Sequence, residues 1–476
     1  MTNTSILNAV FGEESSGETP GQRAATSKKL FVRSQHQLSE YREGATGRVV
    51  NAQEALRLVG WETLEVLGDR PSVPLIIRAG EPYNSIYEQL RHLGLELSEI
   101  ARKIGWSKET TRRFEEKKQI PFREIERFVR TIGLDSEKLG VEAGAAANSE
   151  TGVRLRTYRN KDPKVFTVST VLALAEASWT IQKQFELANL LGRQNGSVVR
   201  SLGFEPSSEY GGQLTRTFME GYRLARRARE LLGIPPDHPI ASMKELIEAK
   251  LRIPVIQLEI HSELAGATIA VGSHRGVAIN LKGQNSSPLA RRMTMAHELG
   301  HLLWDPDQRL KRLVVDRYDS LVDGPAASRL ALDAVERRAN AFAIEFLAPA
   351  SAILKLFESS GGGVDGFKAV IATFGVSRTA VANHLMNASH NRIDMLGQKL
   401  EQFSDDEWEA VESLAVPVFD PQRVPISRRG RFASHVLGAV DRELISRDTA
   451  ASLYSCNLSE LDRALKSTRN YVGPLD

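Results

Sequence analysis

The twelve residues MTMAHELGHLLW, Met293 to Trp304, constrain the fold more than any other stretch of the chain. Met295, Leu299 and Leu302 recur at i, i+4 and i+7, the spacing of one buried face of an α-helix. On the other side His297 and His301 stand four residues apart, about 40° round the axis and one turn along it, so both imidazoles can reach a single ion. Glu298 lies about 100° from His297, too far round to be the natural third ligand but well placed to take a proton from water. One helix therefore serves packing and chemistry together.

Two imidazoles do not complete a site. The next candidate ligand lies in ALDAVERRANAFAIEFLAP, where Leu332, Val335, Ala339, Phe342 and Phe346 form a helical stripe, Glu336 stands beside it and Pro349 ends the helix. Asp305, Asp307 and Asp333 are the other acids that can serve. Two neutral imidazoles, one carboxylate and a position for water make the usual composition of a catalytic Zn2+ site. A single cysteine, Cys456, leaves neither a thiolate cage nor an internal disulfide, which fits a reducing cytosol. Asn340 falls one turn after Glu336, where it can hydrogen-bond a ligand or act in capping or packing. His261, His274 and His384 are candidates to stabilise an oxyanion, and their spacing favours none of them.

The chain of 476 residues, 41% hydrophobic and 25% charged, is long enough for several packed domains. Residues 1–28 are rich in Ser, Thr, Gly and Glu and read as a disordered arm. Residues 29–80 combine a helical pattern, NAQEALRLVGWETLEVLG, with a short strand, VPLIIR, and carry no functional signal. Residues 141–152 read as a linker and 153–205 as a helical connector. Between Arg252 and Lys282 the period shifts toward two, in RIPVIQLEI, LAGATIAV and RGVAINLK, which predicts a small antiparallel sheet. Three prolines, 417, 421 and 425, mark a boundary before the helices of the last fifty residues. No apolar run approaches the roughly 20 residues that cross a bilayer, and the N-terminus lacks the cationic start and apolar core of a signal peptide. The expectation is a cytoplasmic protein without a membrane partner.

A net charge of only +3 excludes a polycation, so nucleic-acid contact needs a local patch. One lies within 81–140. From Leu97 to Thr131 there are ten Lys and Arg against six Glu. Leu97, Ile100, Ala101 and Ile104 line one helix, Gly105 permits a tight turn, and Ser107 can cap a second helix that presents Lys108, Arg112 and Arg113. LSEIARKIGWSKETTRRFEE, followed by IPFREIERFVRTIGLD, resembles the repressor-like (XRE-type) helix-turn-helix family. That resemblance implies DNA contact through residues 95–135, with Lys108, Thr111, Arg112 and Arg113 as the contacts. The alternative is a helical bundle with a solvated basic face that binds a protein.

RRMTMAHELGHLLW followed by VERRANAFAIEFLAP resembles the ImmA/IrrE family of zinc metallopeptidases, with its HExxH helix and its ExxAN helix ending in Pro. The likeness covers residues about 210 to 390, including GYRLARRARELLGI and the helix-turn-helix-like FGVSRTAVANHL; the final segment from Ser427 to Leu465 resembles tails of the same family. It implies Zn2+ held by His297, His301 and Glu336, with Glu298 activating the water. The departure is a long interval between His301 and Glu336, in which RLKRLVVDRYDSLVDGPAASRL is inserted. The expected fold is mainly α with a small antiparallel β-sheet (α+β): a helix-turn-helix domain, a zincin-like metallopeptidase domain at 206–390 and a helical C-terminal domain at 391–476. The expected function is zinc-dependent cleavage of a specific repressor-type regulatory protein, in stress response, mobile-element control or phage defence, and a homodimer is compatible with it. Two other classes stay open: a transcription regulator whose metallopeptidase-like half is a sensor, and a toxin or defence effector.

Overall fold

The computed structural model describes residues 3–34, 37–45, 47–74, 76–77, 81–118, 120–134, 149–193, 199, 201–205, 217–271, 274–305, 313–318, 331–398, 400, 405–412 and 419–472. The chain divides into two compact units, Met1–Arg193 with Val416–Asp476, and Gln194–Ala415. The second is thus inserted into the first along the sequence. The break falls between 415 and 416, beside the proline-rich stretch.

In the first unit, the stretch expected as a disordered arm forms the helices Asn3–Phe11 and Pro20–Thr26. Leu7, Val10 and Phe11 are buried, and the Phe11 ring stacks on Trp61 at 5.9 Å. A few apolar side chains suffice here because their partners come from elsewhere in the chain, which local composition does not register. Residues 29–80 build an antiparallel sheet in the order Arg48–Asn51, Leu30–Arg33, Gln37–Glu40, Ser72–Pro74. Helices Leu97–Ile104 and Lys108–Glu115 are joined at Gly105, whose φ of +73° suits glycine, and the Ser107 side chain accepts from the Thr110 N–H. The linker expected at 141–152 lies outside the described residues up to 148, and Ser149 begins the helix Ser149–Lys161. The expected connector contains the helix Val168–Leu190, which is apolar on most sides and accordingly buried. Its Trp179 and Leu187 share a core with Phe432, Val436 and Leu437 of the helix Arg431–Asp441.

The second unit holds a sheet ordered Val314–Arg317, Leu264–Val271, His274–Asn280, Val255–Leu258. The first two pairings are antiparallel and the last is parallel, so the sheet is mixed and has one strand more than the sequence suggested. A chain that reverses twice runs in its starting direction again, and His274–Asn280 settles beside Val255–Leu258 in that sense. The added strand comes from the interval between His301 and Glu336. Two helices pack against each other beside this sheet, Pro288–Trp304 and Ala331–Leu347. Their approach is close at Gly300, where a Cβ would lie 2.8 Å from Phe342 Cδ1.

The start of the helix Pro288–Trp304 is fastened by the short helix Asp406–Val411. Arg292 is completely buried; its guanidinium pairs with Glu412, donates to the carbonyls of Ile240 (2.6 Å) and Gly375 (3.0 Å), and lies 4.0 Å over the Trp408 ring. Arg291 pairs with Glu409, and Ser287 Oγ bonds Asp405 Oδ2 at 3.0 Å. Among the described residues no single helix is long and apolar enough to cross a membrane; the bent pair Ala334–Leu347 and Ala350–Ser359 has the length and composition together, and its residues lie largely in the core of the second unit.

Candidate metal centre

The apolar stripe of Pro288–Trp304 turns Met295, Leu299 and Leu302 into the core and leaves His297, Glu298 and His301 on the face toward the sheet and the helix Ala331–Leu347. All three polar residues are buried. His297 Nε2 and His301 Nε2 are 3.0 Å apart, and Glu336 Oε2 lies 3.2 Å from the first and 3.4 Å from the second. Among the described residues one group can hold a metal: His297, His301, Glu336 and Asp316.

The opposite nitrogens are engaged. His297 Nδ1 lies 2.8 Å from Asn340 Oδ1, and His301 Nδ1 lies 2.9 Å from Asp305 Oδ2. Each Nδ1–H donates to an oxygen, so in the neutral rings each Nε2 carries its lone pair toward the other. Two lone pairs at that distance repel unless a positive charge stands between them. Burial disfavours charge on His301, but Asp305 and Glu336 outweigh it and hold its pKa well above the ordinary imidazole value. Burial likewise opposes ionisation of Glu336, and the His301 and His297 rings overcome it, pulling its carboxyl far below the usual range. The same charges that attract a proton here suit a divalent cation, and the donor set of two imidazoles and a carboxylate fits zinc.

Glu298 is fully buried beside this group. Burial pushes its carboxyl upward, partly offset by His301 and by Thr268, whose Oγ1–H donates to Oε2 at 2.6 Å. Its Oε1 has no hydrogen-bond partner. Gly266 makes room for that atom: a Cβ there would stand 2.9 Å from it. A buried carboxylate oriented by Thr268 and lying beside Asp316 is suited to receive a proton.

Of the other acids considered as ligands, Asp305 braces His301 and also pairs with Arg338; Asp307 and the side chain of Asp333 lie outside the described residues. The three oxyanion candidates stay out of the metal-capable group. His384 accepts from Tyr222 Oη at Nδ1 (2.9 Å) and donates from Nε2 to the Ala348 carbonyl (3.0 Å), which makes it a brace between helices. His261 Nδ1 accepts from the Glu263 N–H, and His274 opens the strand His274–Asn280. Sequence reasoning missed Thr268, Asp316 and Arg338. Thr268 and Asp316 sit on neighbouring strands of the sheet, and no linear spacing connects them to the histidines.

Of the four basic-patch residues, Lys108 begins its helix, Thr111 Oγ1 donates back to the Ser107 carbonyl (3.1 Å), and Arg112 bonds Glu109 (2.8 Å) and Glu116 (3.4 Å) on its own helix. Arg113 lies in the last turn of that helix.

Residues 272–386 match the family model Peptidase_M78, described as an IrrE N-terminal-like domain. The matched segment contains His297, Glu298, His301, Asp316, Glu336 and Asn340, and it supports a hydrolase of metallopeptidase type. Thr268 and the fastening residues Asp405 to Glu412 lie outside it. A search of curated proteins found no match.

Proposed function

We propose that the unit Gln194–Ala415 is a zinc-dependent endopeptidase that cleaves a specific repressor-type regulatory protein. The observation that carries this reading is the convergence of two imidazole Nε2 atoms and the Glu336 carboxylate, with the base-like Glu298 buried beside them. Zinc held by His297, His301 and Glu336 would act as a Lewis acid, polarising the scissile carbonyl and making water more acidic. Glu298 takes the proton of the attacking water and passes it to the leaving amine, while Thr268 keeps its carboxylate oriented. Asn340 and Asp305 hold the two rings in the tautomer that offers Nε2.

The test has two parts. Elemental analysis should find zinc in wild type and in Glu298→Gln, and lose it in the double variant His297→Ala/His301→Ala. A proteome-wide search for new protein termini after induction should then find fragments with wild type that are missing with Glu298→Gln. Identical termini in both would remove the reading. A Glu298→Gln protein that still regulates its target genes fully would favour the sensor class instead.

A second reading concerns the first unit. The Gly105 turn, the Ser107 cap and the local excess of Lys and Arg favour DNA binding through residues 95–135. The bonds of Arg112 to Glu109 and Glu116 compete with any phosphate. Gel-shift measurements on the whole protein at two salt concentrations should show affinity falling as salt rises; no salt-dependent binding would leave the protein-partner alternative.

A further inference from the structure

Three ligands leave a tetrahedral ion one position, and in a hydrolase that position belongs to water or substrate. The strand Val314–Arg317 delivers another acid to this place. Asp316 is 4% exposed, its Oδ2 has no hydrogen-bond partner, and that atom is 3.8 Å from His297 Nε2. Its ligating oxygen lies within 4.8 Å of those of His301 and Glu336 as well. Metal bonds of 2.0 to 2.2 Å place neighbouring ligands of a tetrahedral zinc roughly 3.3 Å apart. The three pairs among His297, His301 and Glu336 span 3.0 to 3.4 Å. Asp316 lies beyond that spacing, 3.8 Å from His297 Nε2 and within 4.8 Å of the other two, so its carboxylate has to draw inward to ligate. The register of its strand shifts between Asp316 and Arg317, a bulge of the kind that re-aims a side chain.

We infer that Asp316 is a fourth protein ligand, which closes the metal centre at rest. Its carboxylate takes the position that the attacking water needs, so cleavage requires the Asp316 side chain to withdraw. This deepens the metallopeptidase reading and rests on it. It also gives a role to the interval between His301 and Glu336, which the comparison of motifs left as a bare insertion.

The experiment uses the full-length protein loaded with Co2+, whose visible spectrum reports ligand exchange. In wild type, azide should leave the spectrum unchanged, because no position is free. In Asp316→Ala, azide should bind and shift the bands, and a competing chelator should remove the metal roughly 10- to 100-fold more readily, at least the loss seen when an outer-shell partner is removed. Asp316→Asn, nearly isosteric, provides the same comparison with little risk to folding, which circular dichroism monitors. Azide binding that is equal in wild type and both variants, with unchanged chelator competition, overturns the fourth ligand and leaves the three-ligand site standing. Failure of wild type to take up Co2+, or its retention by His297→Ala/His301→Ala, overturns the metallopeptidase reading itself.

Discussion

The Glu298 carboxylate accepts a hydrogen bond from Thr268 Oγ1, which comes from a strand outside the matched segment. A hydrogen bond to a charged group contributes about 1.5 to 3 kcal/mol, so Thr268→Val should lower kcat/KM roughly 10- to 100-fold with zinc content intact. Thr268→Ser should restore most of it. A Thr268→Val protein as active as wild type would show that the carboxylate needs no such anchor. Glu298→Gln itself should reduce turnover by about 10²- to 10⁴-fold, the usual range for a general base, again without loss of metal. The grouping of His297, His301 and Glu298 on one helix was legible because a 3.6-residue period fixes which side chains share a face, and Glu336 was a candidate because it stands beside an apolar helical stripe. Thr268 and Asp316 were not, since strand pairing joins residues across more than forty positions of sequence.

At the scale of elements, the short helix Asp406–Val411 is tied to the ligand-bearing helix by a fully buried ion pair, Arg292 with Glu412. Removing one partner strands the other charge, so Arg292→Met should cost about 3 to 5 kcal/mol in urea unfolding. The double variant Arg292→Met/Glu412→Leu should recover part of that loss; a double variant no more stable than the single would mean that the carbonyl partners at Ile240 and Gly375 dominate. In the first unit, His435 on the helix Arg431–Asp441 is pulled down to about 4 by burial and by the charges of Arg431 and Arg193. An unfolded histidine titrates near 6.5, so the unfolded chain binds the proton first as pH falls. The unit should keep its full stability above that pH and lose about 1.4 kcal/mol per unit as pH falls from 6.5 toward 4. Denaturation curves at pH 7.5 and 5 should show a smaller difference for His435→Gln than for wild type; an equal difference would assign the acid sensitivity elsewhere. The helices involved were readable as helices. That Val168–Leu190 is a core element and no connector was less so, because an apolar circumference says that a helix is buried without saying by what.

For the whole molecule, the division into units leads to its own test. Residues 194–415 expressed alone should fold and bind zinc, since their core is contained within them. Residues 1–193 alone lack the helices Arg431–Asp441, Arg447–Tyr454 and Leu461–Val472 that complete the core around Trp179 and Leu187, and should expose apolar surface and aggregate. A well-folded, soluble 1–193 fragment would contradict the shared core. Local composition had divided the same residues into consecutive blocks, because a window moving along the chain cannot register that its two ends pack together. The nesting also governs what a single backbone cut accomplishes. A nick between 193 and 194 leaves the upstream piece gripping the C-terminal helices, which stay covalently joined to the hydrolase; a nick between 415 and 416 leaves the hydrolase tethered at its other end. Freeing the hydrolase takes both scissions, so its release by proteolysis would follow the logic of a two-key lock.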